Sequence, residues 1–198
     1  MSRKDVSRHW HTRGISVQII WCPGALVFNQ FLCLSVFNSI MINTHVTVIG
    51  GGSWGTTLAN LLGEKGIKVN LWVYEPELCQ IIRERRENTF FLQGVKLSEN
   101  ISPYISMKEA SQGRRIFIVA CPSHVLRTII HELKFYLPDN AIIVSVTKGI
   151  ENDTLKLPSQ IFEEILPEHI THKAVYLSGP TFAKEVVRGF PTAATIAT

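Results

Sequence analysis

The stretch His45-Val-Thr-Val-Ile-Gly-Gly-Gly-Ser-Trp-Gly55 decides the fold. A short apolar run rich in β-branched residues ends directly in glycines. Residues 53–65 then follow with Leu58, Leu61 and Leu62 at helical spacing. A buried strand, a tight turn and a helix form the opening of a βαβ unit. Within the turn, Gly50, Gly52 and Gly55 satisfy the pattern GxGxxG. Glycine triples occur by chance, so the pattern gains its meaning from standing between a strand and a helix. There Gly50 makes the tight turn, Gly52 lets the backbone approach a pyrophosphate, and Gly55 lets helix and strand pack closely. The helix start supplies N–H donors, Ser53 and Trp54 among its first residues.

Outward from this stretch the same alternation continues. Residues 68–74 read as a second strand, and 76–86 as a second helix with Pro76 in its first turn. Further β-branched runs lie at 115–120, 141–146, 174–178 and 193–198. Helical stretches lie at 123–136 and 154–166, with a short one at 184–188. Near-continuous apolar strands alternating with helices predict an α/β, Rossmann-like, doubly wound and mostly parallel sheet covered on both faces.

The first forty residues do not match this pattern. They carry Arg3, Lys4, Arg8 and Arg13 against Asp5, and after Arg13 no charged residue occurs until Glu64. The segment 18–42 resembles a signal peptide or anchor behind a basic start. Pro23-Gly24 breaks it, Asn29, Gln30 and Asn38 interrupt it, and no Ala-x-Ala cleavage site follows. We therefore expect residues 1–40 to be an upstream extension without a structural role, Met41 to be the natural start, and 41–198 to be the folded domain, with no membrane anchor. Of the net charge of +4, residues 41–198 contribute only +1, which leaves no basic stripe for nucleic acid. Hydrophobic residues at 45% and charged residues at 18% exclude wholesale disorder. Cys22, Cys33, Cys79 and Cys121 form no CxxC pair and no metal-like spacing with histidines, so no metal site is expected. Cys79 and Cys121 read as buried free thiols of a cytoplasmic protein.

Three further strand ends carry chemistry. In an open parallel sheet, ligands bind beyond the carboxyl ends of the strands. Tyr74-Glu75 ends the second strand, where a carboxylate accepts from an adenosine ribose 2′-OH and repels a 2′-phosphate. Equally, Glu75 suits the start of a helix at Pro76. Lys148, in Thr147-Lys-Gly-Ile-Glu151, follows the strand 141–146 and can meet an anion, though a surface lysine after a strand is ordinary. Gly179-Pro-Thr181 opens a nest of small residues ahead of the short helix, with simple N-capping by Thr181 as the alternative. Ser123 reads as the cap of the helix after Cys121-Pro122. Cys121 and His124 face apart across that proline and make no nucleophile pair. Arg83, Arg85 and Arg86 read as a solvated helix face.

Taken in order, the segments Gly50-Gly-Gly-Ser-Trp-Gly55, Lys148-Gly-Ile-Glu151 and Ser178-Gly-Pro-Thr-Phe-Ala-Lys-Glu-Val186 resemble the bacterial NAD(P)-dependent glycerol-3-phosphate dehydrogenases. Leu71-Trp72, Glu87-Asn88, Phe91-Leu92, Cys121-Pro-Ser123 and Gly189-Phe-Pro-Thr192 extend the likeness over residues 42–198. The resemblance implies NAD or NADP as cofactor, held at Ser53, Trp54, Phe91 and Ala183. It puts Lys148 at both cofactor and substrate, with Gly179 and Thr181 at the glycerol phosphate. The implied reaction passes hydride between nicotinamide C4 and the C2 carbonyl of dihydroxyacetone phosphate, giving glycerol 3-phosphate for phospholipid synthesis. It also implies a C-terminal helical domain carrying the proton-transferring lysine, and leaves open a homodimer at full length. No such domain follows in these 198 residues, so they read as a truncated enzyme. Glu75 stands where many relatives carry a basic residue or histidine, Phe91 for a frequent tyrosine and Thr181 for a frequent serine. Another β-hydroxyacid or ketopantoate-type reductase, or a dinucleotide-binding module without activity, is the alternative reading.

Overall fold

The computed structural model describes residues 10–12, 15–22 and 45–198. Its centre is the strand β3 (His45–Ile49), whose residues 46–49 are all buried. Helix α1 (Ser53–Glu64) follows the glycine turn and delivers the chain to β4 (Lys68–Trp72), which pairs parallel with β3. Helix α2 (Pro76–Arg85) begins with proline at its first position, where the missing N–H costs nothing. A small hairpin, β5 (Glu87–Asn88) and β6 (Leu92–Lys96), precedes β7 (Ile101–Tyr104) and helix α3 (Met107–Ser111). Strand β8 (Ile116–Val119), helix α4 (Ser123–Leu133) with a 3₁₀ turn to Tyr136, and β9 (Ile142–Ser145) continue the alternation. Helices α5 (Pro158–Ile165) and α6 (Glu168–Thr171), strand β10 (Val175–Ser178), helix α7 (Ala183–Val186) and strand β11 (Thr192–Ala197) complete it.

The strand order places β7, β4, β3, β8, β9 and β10 side by side, every neighbouring pair parallel. By order in the chain this is the 3-2-1-4-5-6 arrangement of doubly wound sheets, with the reversal between β3 and β8. The doubly wound parallel sheet expected from the apolar runs is present. Helices cover both faces. On one side Ala59 of α1 and Leu78 and Ile82 of α2 pack on Val46, Val48, Val69 and Leu71. On the other, Leu126 and Ile130 of α4 and Phe162 of α5 pack on Ile49, Phe117, Val119 and Ile143. Each fully buried Val, Leu, Ile or Phe side chain among these stabilises the fold by about 1.5–3 kcal/mol. Two polar groups of the core share one acceptor: Thr47 Oγ1 and Asn70 Nδ2 both donate 2.8 Å bonds to the Ala110 carbonyl at the end of α3.

The sheet does not stop at β10. β11 pairs antiparallel with β10, and β2 (Ile15–Cys22) pairs antiparallel with β11. β1 (Trp10–Thr12) in turn pairs with β2. The expectation that residues 1–40 have no structural role therefore differs from what their described part does. Once β11 turns back along β10, its outer edge presents unpaired amides and carbonyls, and the β-branched run 15–22 supplies a partner ladder. The rest of 1–40, and most of the apolar segment 18–42, lies outside the described residues. Among the described residues no helix is long and apolar enough to cross a membrane.

Several local expectations are corrected. Helix α5 begins at Pro158 rather than 154, because proline favours the first helical position. Pro122, not Ser123, occupies the N-cap of α4, and Phe182, not Thr181, that of α7. Neither helix has a side-chain cap bond. Arg86 is no solvated residue. It ends α2 in the left-handed region at φ 53°, donates to the carbonyls of Ile101 (2.9 Å) and Ser98, and pairs with Glu99 at 3.5 Å.

Candidate functional site

The carboxyl ends of β3, β8, β9 and β10 open onto one cleft of about 800 Å³, at the point where the strand order reverses. The glycine turn forms its floor. Gly50 has φ +121°, and a Cβ there would stand 2.8 Å from the Ala120 carbonyl oxygen on the turn after β8. Gly55 lies beneath, outside the cleft lining. Its Cβ position is 2.0 Å from the Gly50 oxygen, so only glycine lets α1 start this close to β3. At Gly52 a Cβ would meet nothing within 4 Å, which leaves the backbone open to the cleft. The first bond of α1 runs from Thr56 N to the Gly52 oxygen at 2.9 Å. The amides of Ser53, Trp54 and Gly55 thus precede the helical ladder, and no acid lies in that turn. A pyrophosphate fits this floor on steric and electrostatic grounds alike.

A network that sequence reasoning did not assign holds the turn in place. Asn88, fully buried in β5, donates 2.8 Å bonds to the Gly51 oxygen and to Thr56 Oγ1, and its own oxygen accepts from Phe91 N at 2.9 Å. Thr56 Oγ1 donates to the same Gly51 oxygen at 3.1 Å. The hairpin is therefore a bracket for the glycine turn, and its tip brings Phe91 to the cleft. In the sequence Glu87-Asn88 stood only among the segments of the family likeness, and Asn88 in a short polar run by itself indicates a turn.

Tyr74 and Glu75 line the cleft at the end of β4. Glu75 also occupies the N-cap of α2, yet its side chain makes no cap bond, so the carboxylate remains available to a ligand. On the opposite wall Lys148 folds back from its loop. Its Nζ lies 5.6 Å from the Trp54 ring centroid, a cation–π distance, and donates to the carbonyl of Thr181 at 2.8 Å and of Gly179 at 3.4 Å. The indole Nε1 of Trp54 is buried with no hydrogen-bond partner. Thr181 is buried and lines the cleft with Ala183, whose carbonyl accepts from Thr57 Oγ1 at 3.4 Å. Gly179 does not line it. Its φ of +147° and a Cβ position 2.4 Å from the Ala193 oxygen are set by the passing strand β11, although its own carbonyl takes the lysine. Cys121 and His124 also reach the cleft. Burial pushes the Cys121 thiol up to about 11, which keeps it protonated at neutral pH and excludes it as a nucleophile.

Positions separated by more than a hundred residues, Trp54 and Thr181, are thus joined through Lys148. The family model described as "NAD-dependent glycerol-3-phosphate dehydrogenase N-terminus" matches residues 45–198. The chain belongs to that family. Among its curated relatives, the glycerol-3-phosphate dehydrogenase [NAD(P)+] of Syntrophobacter fumaroxidans is 45% identical over 152 residues, covering 77% of this chain and 45% of the relative. That of Citrifermentans bemidjiense is 47% identical over the same length and with the same shares. The crystal structure of glycerol-3-phosphate dehydrogenase from Coxiella burnetii superposes with a TM-score of 0.67 at 26% identity, covering 74% of this chain and 44% of that one. The chain spans about half the length of the relatives it matches.

Proposed function

We propose that this chain is the cofactor-binding portion of an sn-glycerol-3-phosphate dehydrogenase, taking NAD or NADP and acting on dihydroxyacetone phosphate. The observation that carries the reading is the convergence on one cleft of an open glycine turn, a free carboxylate at Glu75 and a lysine held over Trp54. Bound dihydronicotinamide supplies the hydride for the carbonyl carbon. The amides at the start of α1 hold the pyrophosphate, and Gly50, Gly52 and Gly55 keep them accessible. Phe91, Trp54 and Ala183 exclude water from the nicotinamide side. Lys148 turns its ammonium toward the substrate phosphate and carbonyl oxygen, orienting both, while Thr181 supplies a nearby hydroxyl. Glu75 accepts from the adenosine ribose and favours NAD.

A cytoplasmic location and a homodimer at full length belong to the same reading, as do small-molecule partners rather than nucleic acid or membrane. The test is titration of the full chain with NADH and NADPH, followed by nicotinamide fluorescence. Saturable binding that is lost on blocking the turn supports the reading, and absence of binding to either dinucleotide overturns it.

A further inference from the structure

The Lys148 side chain stands on an exposed loop, and a four-carbon stem left to itself samples many rotamers. Its ammonium is taken by the Thr181 and Gly179 carbonyls, a placement that depends on how the loop beneath it is held. On the near side Thr147 Oγ1 donates to the Cys121 carbonyl at 3.1 Å. On the far side stands Glu151, whose side chain is only 10% exposed. Arg127 of α4 donates to both of its oxygens, Nε at 2.8 Å and Nη2 at 2.9 Å, and Thr154 donates to it as well. The third guanidinium nitrogen, Nη1, reaches Glu164 of α5 at 2.8 Å, and Lys156 pairs with the same carboxylate. The loop closes on itself through Glu151 N to the Lys156 oxygen and Leu155 N to the Glu151 oxygen. Helix α4 therefore does two things: its first turn lines the cleft, and one turn on it grips the loop that carries Lys148.

We propose that Arg127 and Glu151, backed by Glu164, form a positioning pair that sets the placement of Lys148 over Trp54. Neither residue touches a ligand; both act through the lysine. A two-pronged guanidinium–carboxylate contact fixes orientation as well as distance, which a single ion pair does not. A pair in which Arg127 is 30% and Glu151 10% exposed adds only modestly to stability, and geometry is its more natural use. The proposal rests on the reading of the cleft given above only where ligand affinity is concerned. The placement of the lysine is testable without any ligand.

The ligand-free test measures how fast Lys148 of the full chain is acetylated by acetic anhydride, read by mass spectrometry, with exposed Lys173 as internal reference. The wild-type Lys148 should react more slowly than Lys173. Glu151→Gln should raise its rate severalfold toward the reference, and the milder Arg127→Lys should raise it in part, with Lys173 unchanged. Equal Lys148 rates in wild type and both variants overturn the proposal. The second arm measures NADH affinity in a double-mutant cycle. Glu151→Gln and Lys148→Met should each weaken binding by roughly three- to tenfold, and the double variant no more than Lys148→Met alone. A Glu151→Gln effect that persists in full on top of Lys148→Met overturns the pair's action through the lysine. Failure of the wild type to bind NADH, with the acetylation difference intact, overturns the cleft reading and leaves the positioning pair standing.

Discussion

At the scale of single residues the glycine turn divides into positions that serve the fold and one, Gly52, that leaves the backbone open to the cleft. The Cβ positions at Gly55 and Gly52 meet the Gly50 oxygen at 2.0 Å and empty space, respectively. Gly55→Ala should therefore lose on the order of 3 kcal/mol in a denaturant titration, because backbone rather than a flexible side chain must yield. Gly52→Ala should keep its denaturation midpoint close to wild type and lose NADH affinity, since its methyl would project into the open cleft proposed for the pyrophosphate. A Gly52 variant that binds as before removes the turn from the ligand site. Glu75 gives the second residue-scale expectation. With no cap bond to make, its carboxylate is free for a ribose, so NADH should bind the wild type more tightly than NADPH. Glu75→Arg should reverse that order by about tenfold, through a charge-assisted bond to the 2′-phosphate. Equal affinities before and after the change would leave Glu75 as a helix-start residue only.

At the scale of elements, what the sequence makes legible is what local periodicity encodes. The strands β3, β4, β8, β9 and β10 are apolar because helices pack on the sheet, most completely over β3 and β4 while β10 is only half-buried, and each glycine or proline at their ends marks a real boundary. Strand β7 escaped because it carries Ser102 and Pro103 among its four residues. It lies at the sheet edge, where a proline costs no interior ladder bond. The hairpin of β5 and β6 has two and five residues and little apolar content, so no period betrays it, and its buried Asn88 becomes intelligible only once the Gly51 carbonyl is beside it. The same holds for Arg127 and Glu151, 24 residues apart on a helix and a loop. Their pairing predicts a definite response to acid. Bonds from Arg127, then from Thr154, lower the Glu151 carboxyl from its usual 4.5 to about 2. A value depressed in the fold means the contribution is complete above about pH 4.5 and disappears as pH falls toward 2. Glu151→Gln should thus lower the urea midpoint at pH 7, and the gap to wild type should close between pH 4.5 and 2. A gap unchanged across that window would mean the carboxylate contributes nothing as a charge.

At the scale of the molecule, the core formed by the described side chains runs from Val46 to Ala174, while β2 covers the outer edge of β11. Protein lacking residues 1–40 should therefore still fold and bind dinucleotide, but self-associate more readily by light scattering, because an uncovered edge strand invites pairing. The division of labour in the cleft leads to the last expectation. On the proposed reading the cofactor's phosphates need only the turn and the start of α1, all before residue 60. The proposed substrate meets Lys148 and Thr181, which line the same cleft. Protein consisting of residues 1–198 should bind NADH yet reduce dihydroxyacetone phosphate negligibly. On the proposed reading the group that donates to the nascent alkoxide lies outside residues 45–198, which removes roughly two to four orders of magnitude of rate and admits water besides. Joining the helical domain of a relative after Thr198 should restore turnover, read as NADH oxidation at 340 nm, and Lys148→Ala in that fusion should remove most of it. Brisk oxidation by the unfused chain would place an acid among these 198 residues, and His124, which reaches the same cleft, would be the first side chain to substitute.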